Sequence, residues 1–181
     1  MTRLSRPSLA LGALLALVLA ACSTSGGHDD ADVAFARGMV PHHQQAVAMS
    51  DVLLTKTGVD SDVLALARTI KAEQAPEIGQ MTGWLSAWGA PAPSGSGDMG
   101  GMSAPGDGMM SQDAMDALAQ AQGRAAQTLF LQGMITHHQG ALQMASTEVA
   151  QGQNGEAKAL ATTIVTSQTA EIDQMKALLA G

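Results

Sequence analysis

The sequence predicts an all-α protein, a four-helix bundle built from two copies of one helical hairpin. Two observations predict this: a segment of the chain recurs in register 95 residues later, and the apolar residues of both copies follow a helical period rather than the alternation of a strand. The chain has 181 residues and a net charge of −7. It is long enough to bury a core, and its acidity argues against a nucleic-acid partner.

Residues 1–21 are predicted to be a signal peptide. Arg3 and Arg6 precede an apolar run that is too short for a membrane-spanning helix. The run ends Leu-Ala-Ala before Cys22, which is the only cysteine of the chain, and this ending resembles the lipobox of bacterial lipoproteins. We therefore expect a protein outside the cytoplasm, anchored to the bacterial cell membrane by a lipid on Cys22, with residues 22–31 as a flexible tether. The alternative is an ordinary signal peptide followed by an incidental cysteine.

The first helix of each hairpin carries two adjacent histidines. Residues 35–49 and 130–144 share Phe, Gly, Met, His, His, Gln, Ala and Met at matching positions. Phe35, Met39 and His42 begin a stripe with alternating spacings of four and three residues. Such a stripe is the side that a bundle helix buries.

The second helix of each hairpin carries a glutamate in the same kind of stripe, and the copies match at an offset of 94. Antiparallel pairing within the first hairpin is expected to place His42 beside Glu77. In the second hairpin the same pairing joins His137 to Glu171. If the copies pack about a pseudo-twofold axis, these four side chains converge near the centre of the bundle. Four methionines are expected to stack beside them: Met39, Met81, Met134 and Met175.

The connections complete the predicted topology. Glycine-containing turns join the helices within the two hairpins, residues 32–88 and 113–180. Between the hairpins, residues 89–112 contain three prolines and seven glycines and are expected to form a crossover linker. Two hairpins joined by one long crossover have ferritin-like connectivity, so residues 32–181 are expected to form one domain.

Two prolines fall inside predicted helices of the first copy. Pro41 and Pro76 each remove an intrahelical hydrogen bond and are expected to kink the chain beside His42 and Glu77. Alternatively, Pro41 begins a new helix, which would interrupt the stripe at Met39.

The polar and sulfur-bearing side chains of the stripes form a candidate metal site, because imidazole, carboxylate and thioether groups all bind metals. We expect the histidines to be ligands, the methionines to be soft ligands or to lie behind them, and the glutamates to orient the rings or to ligate directly. His43 and His138 lie at the edge of the stripe, where they could face a neighbouring helix, add ligands or be solvated. The candidates are His42, His43, His137, His138, Met39, Met49, Met134, Met144, Glu77 and Glu171.

Copper is the metal that suits this set. The chain has 12 methionines and no cysteine beyond Cys22, and thioether with imidazole favours copper in an oxidising compartment. The Glu-x-x-His pairs of di-iron bundles are missing from the sequence, as is a calcium-binding loop. Four further methionines lie in the linker, where we expect exposure, so packing does not explain them: Met99, Met102, Met109 and Met110.

The same residues resemble the bacterial family named "domain of unknown function 305". The resembling pattern is Met-x-x-His-His-x-x-Ala followed by Met, and later Gln-x-x-Glu-Ile-x-x-Met-x-x-Trp-Leu. The first copy carries it between Met39 and Leu85, whereas in the second copy Leu178 replaces Trp. The resemblance covers about residues 32–179. It implies a ferritin-like four-helix bundle, usually secreted or lipid-anchored, with copper binding and copper tolerance in some relatives.

These observations favour an extracytoplasmic, lipid-anchored protein that binds copper, for buffering or tolerance, and that is not an enzyme. A second hypothesis is a structural or partner-binding bundle whose His–Glu layer only fixes the helix register. A third is a redox enzyme that uses the bound metal, but neither a nucleophile–base pair nor a phosphate-binding loop supports it. The sequence leaves the oligomeric state open.

Overall fold

The computed structural model describes residues 27–91 and 107–181. Within these residues lie five α-helices and no β-strand: α1 (Asp30–Leu54), α2 (Ser61–Ala87), α3 (Gln112–Gln120), α4 (Gly123–Gln151) and α5 (Gly155–Ala180). The predicted all-α fold is therefore confirmed. The predicted signal peptide, the candidate lipid site Cys22, and the linker residues Met99 and Met102 lie outside the described residues.

The four long helices form a bundle whose two hairpins meet through their first helices. α1 packs against α2, and α4 packs against α5. Contacts between the hairpins are made chiefly by α1 and α4, whereas α2 and α5 touch each other only sparsely. The short α3 lies against both α1 and α4. The histidine-bearing helices are thus the central pair of the bundle.

Two apolar clusters fill the interior. The first joins the C-terminal half of α1 to the N-terminal half of α4, and it includes Leu53 and Phe130. The second joins the N-terminal half of α1 to the C-terminal half of α4, and it includes Phe35 and Ala145. α1 and α4 therefore cross in antiparallel fashion, and the histidines at their midpoints lie between the two clusters.

The methionines of the helical stripes divide evenly between these clusters. The first cluster contains Met49, Met134 and Met175, and the second contains Met39, Met81 and the half-buried Met144. The four methionines predicted to stack beside the histidines therefore lie in two pairs, one in each cluster. The antiparallel crossing of α1 and α4 sends matching residues of the two copies to opposite sides of the histidines.

Both helix-internal prolines are accommodated without ending a helix. Pro41 lies inside α1 and Pro76 inside α2, so the alternative in which Pro41 begins a new helix is wrong. Most helical stability in a protein comes from packing of the buried face, and that packing extends along both helices on either side of the prolines. α1 begins at a capping box formed by Asp29 and Asp32.

The C-terminal end of the linker packs onto the bundle. Met109 and Met110 are half-buried, so the expectation that these two are exposed is wrong. The helix that follows, α3, buries Leu118 completely in the first apolar cluster. Among the described helices, none combines the length and the apolar character needed to cross a membrane.

Candidate metal centre

Two histidine rings meet where α1 crosses α4. The ring centroids of His42 and His137 are 3.6 Å apart, and the ring planes are inclined by 36°. Both residues are buried, at 1 % and 0 % exposure. Because carbon atoms in van der Waals contact lie about 3.5–4.0 Å apart, the rings touch. The two residues occupy matching positions of the repeat, so the pseudo-twofold axis passes between them.

The other two histidines are paired with glutamates of their own hairpins. His43 Nε2 lies 2.8 Å from a carboxylate oxygen of Glu77, and His138 Nε2 lies 2.7 Å from a carboxylate oxygen of Glu171. Both histidines are fully buried, so neither is solvated. The four histidines with these two glutamates are called the histidine layer below.

The predicted pairing of His42 with Glu77, and of His137 with Glu171, is wrong by one residue. Successive residues of an α-helix point about 100° apart. The first histidine of each pair therefore turns toward the other hairpin, and the second turns toward the glutamate of its own hairpin. The predicted convergence of His42 and His137 does occur.

Each ring of the layer keeps at least one buried nitrogen with no hydrogen-bond partner among the described residues. Nδ1 is in this state in all four rings, and His137 has neither nitrogen partnered. His42 Nε2 lies 2.9 Å from the carbonyl oxygen of Asp107. Carbonyl and carboxylate oxygens only accept, so Nε2 is the donor in His42, His43 and His138. In a neutral ring, Nδ1 then carries a free lone pair.

Burial keeps the two touching rings uncharged. Desolvation lowers the pKa of His42 to about 3, and the charge of His43 acts in the same direction. The pKa of His137 also lies well below its ordinary value, through burial first and the proximity of His42 next. Neutral imidazole is the form that binds metal ions.

Oxygen atoms gather where α2 and α5 approach the layer. The Oε1 atoms of Gln74, Gln168 and Glu171 are buried and have no hydrogen-bond partner among the described residues. The pKa of Glu73 is raised by burial and then by the charges of Glu171 and Glu77. The carboxylates are therefore close enough to sense one another, and their field favours a cation near the layer.

Residues 107–110, called the strap below, lie across α1 and α4 at the level of the touching rings. The carbonyl of Asp107 accepts the hydrogen bond from His42 Nε2. Three residues further along α1, the side chain of Gln45 donates to the Met110 carbonyl at 2.9 Å and accepts from the Met110 amide at 2.7 Å. The strap is thus attached to α1 at both ends.

Glycines bring the strap into close contact with α4. A Cβ atom at Gly140 would lie 1.7 Å from the carbonyl oxygen of Asp107. Gly108 has a φ of +75°, and a Cβ atom there would lie 2.3 Å from the carbonyl oxygen of Thr136. A side chain at Gly140 or Gly108 would push the strap away from the helix.

The remaining predicted ligands flank the layer. Met39, Met49 and Met134 are fully buried in the apolar clusters, and Met144 is half-buried. Within residues 27–91 and 107–181, no three His, Cys, Asp or Glu side chains form a ready-made metal cage. What the structure offers instead is unpartnered imidazole nitrogen with thioether sulfur in the clusters on both sides.

The rings of the histidine layer are closed to solvent. Two surface hollows, of about 230 and 440 Å³, lie elsewhere on the bundle, and neither is lined by a histidine. Because the four histidines are at most 1 % exposed, an organic substrate has no access to their rings.

The strap is the part of the site that sequence reasoning missed. The two copies differ at several matched positions around the histidines, and one of these is Gln45 in the first copy and Gly140 in the second. Both residues contact the strap. This difference between the copies was the sequence signal that could have indicated the strap. The strap occurs once in the chain, so its contacts with the two copies must differ.

Comparison with known proteins gives a consistent family. The model of the family described as "Domain of unknown function (DUF305)" matches residues 32–179. A candidate secreted DUF305 protein from Streptomyces coelicolor is 40 % identical, with a TM-score of 0.74, over 83 % of this chain and 92 % of that one. A DUF305 fragment from Deinococcus radiodurans is 29 % identical, with a TM-score of 0.73, over 84 % of this chain and 97 % of that one.

Structures of a metal-bound protein also match. CopM in its Cu(I)-bound form is 34 % identical, with a TM-score of 0.65, and in its Cu(II)-bound form it is 35 % identical, with a TM-score of 0.68. Each match covers 81 % of this chain and 94 % of CopM. A silver-bound form of CopM matches similarly. No curated protein matches the chain.

Proposed function

This chain belongs to the DUF305 family, and we propose that it binds copper ions outside the cytoplasm, for buffering or tolerance rather than for catalysis. The observation that carries the proposal is the histidine layer, in which Nδ1 is unpartnered in every ring while Nε2 is held by an oxygen acceptor in three of them. Metal-binding histidines have this arrangement, one nitrogen donating to a carboxylate or carbonyl and the other facing the metal. The copper-bound and silver-bound forms of CopM support the choice of metal.

The roles follow from the contacts. The four histidines supply nitrogen lone pairs, and Glu77 and Glu171 orient two of the rings through their Nε2 atoms. Each apolar cluster adds the thioethers of three stripe methionines on its own side of the layer. Thioether ligands favour Cu(I) over Cu(II), so we propose Cu(I) as the preferred ion. A bound copper ion would supply positive charge, and the unshared electron pairs of the layer would coordinate it.

Binding requires a local movement. His42 and His137 are in van der Waals contact, so no ion fits between the rings as they stand. Rotation of either ring about its side-chain bonds would open the space, and the hydrogen bond from His42 to the strap opposes that rotation.

A layer that only fixes helix register fits the observations less well. Buried polar groups in proteins are nearly always hydrogen-bonded, because an unpaired one costs free energy. In the described residues, five ring nitrogens of the layer have no partner. A purely structural layer would retain this cost with no gain. A metal ion would use the four lone pairs that these nitrogens carry when the rings are neutral, since one His137 nitrogen bears the ring proton.

The test replaces the touching histidines together. The variant His42→Gln with His137→Gln should lose Cu(I) affinity by at least about 100-fold, because losing a ligand should cost more than the 10–100-fold loss typical of its supporting hydrogen bond. Competition with a chromogenic Cu(I) chelator measures the affinity. His28→Gln is the matched control, since His28 is exposed at the start of α1. Unchanged affinity in a folded double variant would refute the proposal.

The extracytoplasmic location is supported by the candidate secreted relative and by the charged and apolar N-terminal sequence. We further propose a lipid on Cys22 as the membrane anchor. In bacteria fed a labelled fatty acid, the wild-type protein should carry the label and enter the detergent phase, and Cys22→Ser should do neither. An unlabelled wild-type protein would contradict the anchor without affecting the copper proposal.

A further inference from the structure

We propose that the strap positions His42 and gates the ion at the histidine layer. In the closed state it holds the His42 ring by Nε2 and closes the groove between α1 and α4 at the level of the rings. When it lifts, the ring is free to rotate away from His137, and an ion enters or leaves. The inference rests on the proposed function, because a gate requires an ion to pass.

The contact with His42 is made by the backbone of the strap. Because the acceptor is the Asp107 carbonyl, the bond depends on where the strap lies and not on the side chain at that position. The Asp107 side chain instead accepts from the Met109 amide at 3.1 Å, so the strap holds its own turn and moves as a unit. In the neutral ring, this bond sets the proton on Nε2 and leaves the lone pair on Nδ1.

The strap is a weakly held boundary of the touching rings. The apolar clusters lie on two sides, and a hydrated ion crossing them would lose its water without compensation. The strap residues are only half-buried. Their attachment includes the His42 bond, two hydrogen bonds to Gln45, close packing at Gly140 and Thr136, and the Met110 side chain against the first apolar cluster. Such a segment can open while the helices stay folded.

The decisive variant is Gly140→Ala. Its Cβ atom would occupy the place of the Asp107 carbonyl oxygen, 1.7 Å away, so the strap must leave while all four histidines remain. The matched control is Gly83→Ala, a helical and exposed glycine whose Cβ atom would meet nothing within 4 Å. Alanine favours the helix at both positions, so a difference between the two variants reports the strap.

Two measurements decide the outcome. In metal-free protein labelled with ¹⁵N-histidine, the His42 Nε2–H resonance should be present in the wild type and in Gly83→Ala, and lost in Gly140→Ala. With Cu(I) bound, Gly140→Ala should release the ion faster and bind it about 10–100-fold more weakly. Gln45→Ala, which detaches the strap from the α1 side, should shift both measurements in the same direction and covers the case in which Gly140→Ala does not fold.

The results separate the gate from the proposed function. A wild-type chain that binds no Cu(I) would refute the proposed function, and the gate with it. A wild-type chain that binds Cu(I) but releases it no more slowly than Gly140→Ala, although the His42 resonance has been lost, would refute the gate alone. An unchanged His42 resonance in both strap variants would refute the positioning of His42.

Discussion

Among the described residues, two buried polar clusters differ in how the protein itself uses their acceptor atoms. In the histidine layer, Nδ1 is unpartnered in all four rings among the described residues. The second cluster, called the carboxyl cluster here, lies where α1 begins and α4 turns into α5. There the Asp32 carboxylate accepts from the backbone amides of Asp29 at 2.7 Å, Gln153 at 3.2 Å and Asn154 at 2.9 Å. Glu148 lies beside it and is 1 % exposed.

The carboxyl cluster contains one protonated and one ionised carboxyl group. Burial, the hydrogen bond to Asp32 and the negative charge of Asp32 raise the pKa of Glu148 to about 8. Burial opposes ionisation of Asp32 as well, but hydrogen bonds from the backbone of Asp29 and Asn154 bring its pKa below the ordinary value. At neutral pH the two carboxyls therefore hold one proton between them, and it resides on Glu148.

This difference distinguishes a cluster with a structural role from the layer to which we assign metal binding. The carboxyl cluster uses its acceptors to join the first turn of α1 to the turn between α4 and α5, so it acts as a structural joint. The histidine layer retains lone pairs that the protein itself does not use. Unused hydrogen-bond acceptors inside a packed core are costly, and a ligand that binds to their lone pairs explains their presence.

The largest expected effect is the loss of the joint in Asp32→Ala. The backbone amides that Asp32 accepts from lose their partner, so the free energy of unfolding should fall by about 2–4 kcal/mol, while Cu(I) affinity stays unchanged. Urea denaturation of metal-free protein and chelator competition measure the two quantities. Asp30→Ala, which removes an exposed carboxylate from the same turn, should cost less than about 1 kcal/mol. Affinity that fell together with stability would show that the two clusters are not independent.

The combined variant Glu77→Gln with Glu171→Gln is expected to lower Cu(I) affinity and to leave the free energy of unfolding nearly unchanged, which is the opposite of Asp32→Ala. It keeps the shape of both side chains but removes the charges that orient His43 and His138 and make them stronger ligands. Cu(I) affinity should fall about 10–100-fold, equivalent to about 1.4–2.7 kcal/mol, with the free energy of unfolding changed by less than about 1 kcal/mol.

The control for this variant is Asp173→Asn, because Asp173 is an exposed carboxylate on the same helix as Glu171. It should leave both quantities near the wild-type values. A large loss of stability with unchanged Cu(I) affinity would contradict the orienting role of the two glutamates and would make the histidine layer a structural joint as well.

The sequence predicted those features of the histidine layer that depend on helical periodicity. The repeat and the spacing of four and three identified the helices, the buried stripes and the convergence of His42 with His137. The pairing of the glutamates was wrong because the buried face of a helix is about 100° wide or more. Adjacent residues such as His42 and His43 both fall within that face, and spacing alone does not say which of them turns toward which neighbour.

The remainder depends on contacts between distant parts of the chain. The strap belongs to a Gly- and Pro-rich segment without periodicity, and its place is set by the space at Gly140. The bond from Gln153 to Asp32 joins residues 121 positions apart, and nothing in the local sequence of either residue indicates it. Such contacts follow from tertiary packing, which local patterns do not encode.

The smallest expected effect is a pH dependence that belongs to the carboxyl cluster. Glu148 ionises near 4.5 when unfolded and near 8 when folded, so the folded state binds more protons between these values. The stability that this proton contributes is complete below the lower value and is lost as pH rises through the upper one. Metal-free wild-type protein should lose about 1 kcal/mol between pH 7 and 8 relative to Glu148→Gln, whose neutral amide does not titrate. Urea denaturation at several pH values measures both proteins, and parallel profiles would contradict the shared proton. The difference between the profiles assigns the effect to Glu148, because every other titrating group, including Lys158 and the histidine layer, is common to both proteins.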